Sequence, residues 1–348
     1  MRKSWPILGM ILLMLLLCAA ASADEVKISL SPETLRVGDV IDIKVEAGES
    51  AVFVSYNLSS GDRKVFSGKD DAHFFASFRP REEGTYTLSV QVKDREGVVS
   101  EGTAEFTVAG TAEVQMGAEM VYSQKDGWWK DKSYSKNNLE TAGCAIFTLS
   151  HALQRMEWSG EDVLPEVLAK TYAGCYTQNG TANERLITRA SEVYGYTTKS
   201  DLMDNKSVIR DALAKGDMFS FSIVIGHIAL VSGLDESGSK AKIVDSAPGA
   251  TFERIKKGKI YYLKDGSFLE AKDPEDIPGA RYYFETQTWG GLEYYMDLDY
   301  LAWRGVRLIR PGWLFLQTDS GLNGVTAEAL GSALSTVNRN GKAFEVPT

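Results

Sequence analysis

Short runs of alternating apolar and polar residues fill the first third of this chain. From Val26 to Val108, apolar side chains recur at every second position, and turn formers such as Gly48, Gly84 and Gly97 separate the runs. This alternation is typical of antiparallel strands with one buried face. About seven such strands predict a β-sandwich over residues 24–110.

One predicted strand also carries a family resemblance. Residues 83–94 read EGTYTLSVQVKD, which resembles the Gly-x-Tyr-x-x-x-Val strand of bacterial immunoglobulin-like modules. The resemblance implies an immunoglobulin-like sandwich that serves as a spacer or adhesion unit. His73 lies in this segment beside Phe74 and Phe75, so we expect it to be structural.

Residues 1–23 have the pattern of a cleaved secretory signal peptide. A basic start precedes an apolar run from Ile7 to Leu17, and Ala21-Ser22-Ala23 supplies small residues for cleavage. A lipoprotein with a lipidated Cys18 is the weaker alternative, because Leu17 occupies the position where a small residue is needed. The run is short for a membrane span of about 20 residues. We expect a mature chain without a transmembrane segment, secreted or at the extracytoplasmic cell surface.

The periodicity changes after the sandwich. Ile146, Leu149, Leu153 and Met156 recur at helical spacing, and further helical segments follow. After Gly216 the pattern returns to strands, which we predict at Met218 to Ile225, His227 to Gly233, Ala241 to Asp245, Lys259 to Leu263, Ala280 to Thr286 and Gly305 to Ile309. Helices followed by an antiparallel sheet predict an α+β domain over residues 115–312. Residues 313–348 are expected to form a C-terminal appendage or tail.

Cys144 is the candidate nucleophile. A catalytic thiol needs a base, a group that orients the base, and donors for an oxyanion. The sequence Thr141-Ala142-Gly143-Cys144 leads directly into the helical stripe. With Thr141 as the N-cap, Cys144 lies in the first helical turn, where the positive end of the helix dipole favours a thiolate.

The chain holds only three histidines, so the base can be chosen by geometry. His151 follows Cys144 on the same helix at a backbone distance of about 10.5 Å, which is beyond hydrogen-bond reach. His73 belongs to the sandwich. His227 remains, on a predicted strand that would hold its imidazole rigidly.

Two further residues complete the candidate site. Asp245 ends a predicted neighbouring strand and is positioned to orient the imidazole of His227. Gln124 precedes Cys144 by twenty residues and offers an amide N–H for the oxyanion. Other interpretations are a core histidine for His227, a turn residue for Asp245 and a surface residue for Gln124.

The motifs taken together resemble a known family. Gln-x-Asp-x-x-Trp, Gly-Cys at a helix start, Gly-His-x-x-x-Val-x-Gly and a strand ending in Val-Asp-Ser resemble papain-fold cysteine peptidases related to the bacteriocin-processing, double-glycine-leader peptidases. The likeness spans about Val121 to Pro248. It implies Cys144 as nucleophile, His227 as base, Asp245 as its orienting group, and Gln124 with the Cys144 backbone N–H as oxyanion hole. No transporter or ATPase segment accompanies these motifs, so leader-peptide processing is not expected.

The sequence therefore predicts a two-domain fold, with an N-terminal all-β immunoglobulin-like sandwich followed by an α+β papain-like cysteine peptidase domain. The expected function is a secreted bacterial cysteine peptidase or related thiol acyl-transfer hydrolase, acting on protein or peptide substrates, including cell-wall peptide. No cofactor is expected, since the scattered Cys and His residues do not have zinc-ligand spacing. The 38 Lys and Arg against 47 Asp and Glu give a net charge of -9, which argues against a nucleic-acid partner. The oligomeric state is left open.

Two alternatives remain at this point. Cys144 and Cys175 are the two cysteines left after export, and a disulfide between them would give a catalytically silent surface or adhesion protein. A peptidoglycan amidase of similar fold is the other alternative. A late aromatic cluster is expected to serve core and sheet packing; it comprises Tyr282, Tyr283, Phe284, Trp289, Tyr294, Tyr295, Tyr300 and Trp303.

Overall fold

The structure, a computed structural model, describes residues 26–32, 35–70, 73–111, 121–158, 161–178, 180–201, 205–308 and 312–316. The predicted signal peptide at residues 1–23 lies outside the described residues, as does most of the predicted tail. In the part of the chain that is described, no helix is both long and apolar enough to cross a bilayer.

The N-terminal segment is a sandwich of two sheets. One sheet contains β1 (Lys27–Ser31), β3 (Ile41–Glu46) and β6 (Phe75–Phe78). The other contains β2 (Leu35–Val37), β8 (Val99–Thr111), β7 (Gly84–Asp94), β4 (Ala51–Ser60) and β5 (Arg63–Asp70), in that order. Alternate side chains of β3 and β7 are buried between the sheets, as period-two alternation requires. The predicted immunoglobulin-like sandwich is confirmed.

The first sheet of the sandwich is completed by a hairpin from much later in the chain. This hairpin consists of β19 (Tyr282–Tyr283) and β20 (Thr288–Trp289). Tyr283 pairs in parallel with Ser77 of β6. The next residue, Phe284, is buried in the sandwich core. The sandwich and the later part of the chain therefore share both a sheet and a core.

The second half of the chain is built on one antiparallel sheet of eight strands. Their spatial order is β13 (Thr197–Asp201), β22 (Gly312–Leu316), β14 (Met218–Val224), β15 (His227–Leu234), β16 (Lys240–Asp245), β21 (Leu292–Asp297), β17 (Ile260–Lys264) and β18 (Ser267–Ala271). Two small hairpins pair β9 (Ser133–Tyr134) with β10 (Asn137–Asn138) and β11 (Tyr176–Thr177) with β12 (Gly180–Thr181).

Helices cover both faces of the eight-stranded sheet. They are α1 (Leu139–Ala142), α2 (Cys144–Arg155), α3 (Pro165–Thr171), α4 (Asn183–Tyr194), α5 (Lys206–Ala214), α6 (Pro248–Arg254) and α7 (Leu298–Leu308). Every side chain of α2 from Ala145 to Gln154 is buried, and α2 packs on β15. This packing fixes the start of α2 against the start of β15.

The predicted fold class, a sandwich followed by an α+β papain-like domain, is wrong. Strand residues outnumber helical residues in the described chain, and the helices do not form a block ahead of the sheet. β13 lies between α4 and α5, and α7 lies between β21 and β22. The strand predicted at Gly305 to Ile309 instead begins within α7, because buried Leu298, Leu301 and Ala302 recur at helical spacing. The chain is a mainly β protein whose late hairpin extends the sandwich.

Candidate active site

Cys144 is the first residue of α2, and the short helix α1 ends beside it. The N-cap of α2 is Gly143, so the predicted cap at Thr141 is wrong. Thr141 lies inside α1, where its backbone N–H donates to Asn138 Oδ1 at 3.0 Å. A Cβ atom on Gly143 would lie 2.3 Å from the carbonyl oxygen of Leu139. Only glycine therefore fits at the junction that presents Cys144.

The surroundings of the Cys144 thiol favour its ionised form. Burial by itself raises the pKa of this thiol. The hydrogen bond and charge of His227 act in the opposite direction, and the backbone N–H groups of Ile228 and Ala145 also donate to the sulfur, so that the pKa is lowered below its ordinary value. The half-buried thiol is thus both acidic and reachable from solvent.

His227 and Asp245 form a buried pair on adjacent strands. Leu230 of β15 pairs with Val244 of β16, which brings the start of one strand beside the end of the other. His227 Nε2 lies 2.6 Å from Asp245 Oδ1, which leaves Nδ1 as the ring nitrogen that faces the thiol. Burial opposes the protonated ring, but the carboxylate and the thiol raise the pKa of His227 to about 10. The same ion pair holds the pKa of Asp245 below its ordinary value against the effect of burial.

Asp245 has three further donors that the sequence did not reveal. The Ala247 backbone N–H donates to Oδ1 at 2.8 Å. The hydroxyls of Thr251 and Tyr294 donate to Oδ2 at 2.6 Å and 2.7 Å. The carboxylate is fully buried, so these bonds keep it ionised and fix its orientation. The sequence predicts only core packing for Tyr294, because nothing in a tyrosine-rich strand indicates which hydroxyl forms a hydrogen bond at the site.

Gln124 lies at the same site and its side chain is held at both ends. Its Oε1 accepts from Ser246 Oγ at 3.0 Å, and its Nε2 donates to the carbonyl of Glu140 at 2.8 Å. Its backbone N–H also donates to the carbonyl of Ser246. An amide nitrogen carries two protons, so one N–H of Nε2 remains for another acceptor. Gln124 is buried, which contradicts the surface-residue interpretation.

The other histidines have separate roles. His151 is fully buried, and its Nε2 accepts the backbone N–H of Tyr122 at 2.9 Å. Burial and the charge of Arg155 lower its pKa to about 3, so this ring is neutral. His73 stacks on Tyr282 of the late hairpin, with ring centroids 4.0 Å apart. Both rings serve packing and backbone contacts.

Cys144 and Cys175 are both free thiols, and Cys175 is buried whereas Cys144 is half-buried. The disulfide that the silent-protein alternative requires is not formed. Burial raises the pKa of Cys175 despite the nearby charges of Arg189 and Arg185. The two thiols therefore differ in reactivity. Among the residues that the structure describes, no group of three or more His, Cys, Asp or Glu side chains is placed to hold a metal ion.

Comparisons with known proteins give no family for this chain. No family model matches it, and no curated protein matches it. The PKD domain of the human receptor SorCS2 is 17% identical over 26% of this chain and 77% of that domain, with a TM-score of 0.22. The PKD1 domain of the Vibrio cholerae metalloprotease PrtV is 16% identical over 25% of this chain and 96% of that domain, with a TM-score of 0.19.

A third similar structure was solved to explain the promiscuous specificity of carbohydrate-binding modules of the β-sandwich superfamily. It is 11% identical over 86% of this chain and 93% of that chain, with a TM-score of 0.22. None of these three structures is a papain-like peptidase. Similarities of this size carry no argument about function, so the proposals below rest on the geometry of the site.

Proposed function

We propose that this protein is a cysteine peptidase or a related thiol acyl-transfer hydrolase that cleaves amide bonds in protein or peptide substrates. The observation that carries the proposal is the hydrogen-bonded series from the Cys144 thiol through His227 to the buried Asp245 carboxylate. A nucleophile, a base and an orienting group in this arrangement are the requirements of covalent acyl transfer. The ordered sequence motifs, which resemble those of the double-glycine peptidase relatives, support the same chemistry.

In the proposed first half-reaction, the Cys144 thiolate attacks the amide carbonyl carbon. The carbonyl π electrons move to oxygen, and the backbone N–H of Cys144 and the remaining N–H of Gln124 stabilise this oxyanion. The C–N bond then breaks as His227 transfers its proton to the leaving amine. The products of this step are a free amine and a thioester on Cys144.

In the second half-reaction, neutral His227 takes a proton from water, and the resulting hydroxide attacks the thioester carbonyl. Collapse of the tetrahedral intermediate breaks the C–S bond and releases the carboxylic acid. The thiolate and the protonated imidazole are regenerated. Asp245 keeps the ring oriented and stabilises its charge in both half-reactions. We also propose that the protein works outside the cytoplasm, on the basis of the signal-peptide pattern of residues 1–23.

The test is hydrolysis of fluorescently labelled casein and of purified cell wall by the reduced protein, with Cys144→Ala and the matched control Cys175→Ala. We expect release of new amino groups that falls by at least about 10³-fold in Cys144→Ala and persists in Cys175→Ala. Cleavage of casein would favour a peptidase, and cleavage of cell wall alone would favour an amidase. Hydrolysis that survives Cys144→Ala, or its absence with both substrates, would contradict the proposal.

A further inference from the structure

Arg79, at the edge of the sandwich, reaches the segment that carries Gln124. It follows β6 directly, and its Nε donates to Asp126 Oδ2 at 2.9 Å. Its Nη1 donates to the carbonyl of Gly38, also in the sandwich. Tyr283 of the late hairpin is a further hydrogen-bond partner of this guanidinium. Arg79 thus joins the sandwich, including the late hairpin that completes its first sheet, to the carboxylate of Asp126.

Asp126 transmits this contact to the backbone around Gln124. Its side chain is 1% exposed, and its Oδ1 accepts the backbone N–H of Trp128 at 2.8 Å. Its own carbonyl accepts the N–H groups of Trp129 and Lys130, both at 2.9 Å. Asp126 and Trp129 are the residues of the Gln-x-Asp-x-x-Trp motif that the proposed chemistry leaves without a role. They form the turn that directly follows Gln124.

The segment before Gln124 is anchored without Arg79, on the helix α2 and on the late hairpin. The Tyr122 N–H donates to His151, and Ser123 Oγ contacts the carbonyl of Trp289 at 3.4 Å. Gln124 itself is held by Ser246 on the sheet side. The turn after Gln124 has two ionic contacts: the partly exposed Lys125 lies 3.7 Å from Glu140, and the buried Asp126 pairs with Arg79 of the sandwich at 2.9 Å. Asp126 is the buried member of these contacts, so its displacement would disturb the C-terminal side of Gln124 first.

We propose that Arg79 is a positioning residue that holds the Gln124 amide in place through Asp126, so that the sandwich forms part of the active-site scaffold and is not a detachable spacer. This inference rests on the proposed function of Cys144. A buried ion pair of this kind is costly to break, because the remaining charge stays desolvated. Lysine is not equivalent to Arg79, because the guanidinium donates to Asp126 and to the Gly38 carbonyl from two separate nitrogens in a fixed plane, whereas an ammonium has one nitrogen.

The inference predicts a selective defect. Acylation of Cys144 by p-nitrophenyl acetate passes through a tetrahedral oxyanion, whereas alkylation by iodoacetamide is a direct displacement at carbon and forms no oxyanion. Misplacement of Gln124 should slow acylation and leave alkylation unchanged. The ratio of the two rates is measured on the same Cys144 thiol, so it does not depend on the fraction of folded protein. Cys175, buried and with a raised pKa, does not contribute.

The experiment compares the full-length protein with the variants Arg79→Lys and Asp126→Asn. The matched control is Arg81→Lys, because Arg81 lies two residues further on, is half-exposed and forms its ion pair with the exposed Asp131 at 3.9 Å. Its charge also acts on Glu285, and lysine keeps that charge. We expect the acylation-to-alkylation ratio to fall about tenfold in Arg79→Lys and Asp126→Asn, on the scale that small misplacements of catalytic groups produce. Gln124→Ala should lower the ratio further, and Arg81→Lys should leave it within twofold of wild type.

An unchanged ratio in Arg79→Lys and Asp126→Asn would overturn the inference and leave the proposed function intact. Equal slowing of acylation and alkylation would also overturn it, because the defect would then lie in thiol activation. If Cys144 of the wild-type protein is alkylated by iodoacetamide but is never acylated by p-nitrophenyl acetate, the proposed function is wrong. The inference about Arg79 then fails with it.

Discussion

The hydroxyl of Tyr294 offers a quantitative test of how Asp245 is held in the buried site. It lies 2.7 Å from Asp245 Oδ2, and both side chains are almost wholly inaccessible to solvent. A hydrogen bond to a charged group contributes about 1.5–3 kcal/mol to stability, against about 0.5–1.5 kcal/mol for a neutral pair. We therefore expect Tyr294→Phe to lower the free energy of unfolding by about 2 kcal/mol at pH 7.

Tyr300→Phe is the matched control for this variant. The Tyr300 hydroxyl is also buried and donates at 2.8 Å, but its acceptor is the neutral carbonyl of Ile223. The expected loss is about 1 kcal/mol. Both variants remove a single oxygen and keep the ring, so the difference between them reports the charge of Asp245.

The two variants should also differ in their dependence on pH. Because the pKa of Asp245 is lower in the folded state, its stabilising contribution is present above the unfolded pKa of about 3.9 and is lost as pH falls through the folded value. Loss of the Tyr294 hydroxyl raises that folded pKa, so the cost of Tyr294→Phe is full at pH 7 and shrinks as pH falls through the folded pKa of Asp245, which lies below its ordinary value. The cost of Tyr300→Phe has no such dependence on Asp245.

Urea denaturation followed by tryptophan fluorescence, at pH 7 and at a series of lower pH values, measures both effects. A cost for Tyr294→Phe no larger than that for Tyr300→Phe at pH 7 would show that the charge of Asp245 adds nothing to this hydrogen bond. A cost of Tyr294→Phe that grows as the pH falls would contradict the expected dependence on Asp245.

Three further predictions follow from buried groups near the site. Gly143→Ala should slow iodoacetamide alkylation of Cys144 by at least about fivefold, because the new methyl group would clash with the Leu139 carbonyl. Gly233→Ala is the control, since a methyl group there would have no atom within 4 Å, and it should leave the alkylation rate unchanged. His151→Phe should cost about 1–3 kcal/mol in urea denaturation by leaving the Tyr122 N–H without its acceptor. The wild type should also lose stability as pH falls from about 6.5 toward the His151 pKa of about 3, since the unfolded state binds the extra proton, and the variant should lack this loss. Burial and the nearby Asp126 raise the pKa of Glu285 to about 8, so Glu285→Gln should melt higher than wild type at pH 9 and at about the same temperature at pH 5.

Local periodicity explains what the sequence could predict. The alternation of Tyr86, Leu88 and Val90 predicts β7 and the sandwich, because each strand buries one face of its own. The strands predicted at Met218 to Ile225 and Ala241 to Asp245 correspond closely to β14 and β16. The helical stripe beginning at Ile146 likewise falls within α2.

Contacts between distant segments explain what the sequence could not predict. The pairing of Tyr283 with Ser77 joins residues about two hundred positions apart, and no local pattern encodes it. The positions of the short strands β19 and β20 are set by the packing of Phe284 in the sandwich core. They are too short to show an alternation of apolar and polar residues of their own. This is why the late aromatic segment gave no sign of its strand partner.

The same limit applies to the site. Chain order and residue type were enough to select Cys144, His227, Asp245 and Gln124 as candidates. The sequence did not predict the hydrogen bonds that the hydroxyls of Thr251 and Tyr294 donate to Asp245. These bonds form only because α6 and β21 pack against the end of β16. The Thr141 cap was wrong because Asn138, three residues earlier, caps a separate helix that ends at Gly143.

The proposed activation of the Cys144 thiolate by His227 can be measured through the pH dependence of iodoacetamide alkylation. Mass spectrometry of the alkylated peptides separates Cys144 from Cys175. We expect wild-type Cys144 to react well below pH 8.5, since the ordinary thiol pKa is about 8.5, and His227→Ala to move the midpoint up to at least that value. A wild-type Cys144 that reacts only above about pH 8, with a midpoint that His227→Ala leaves unchanged, would contradict the proposed activation.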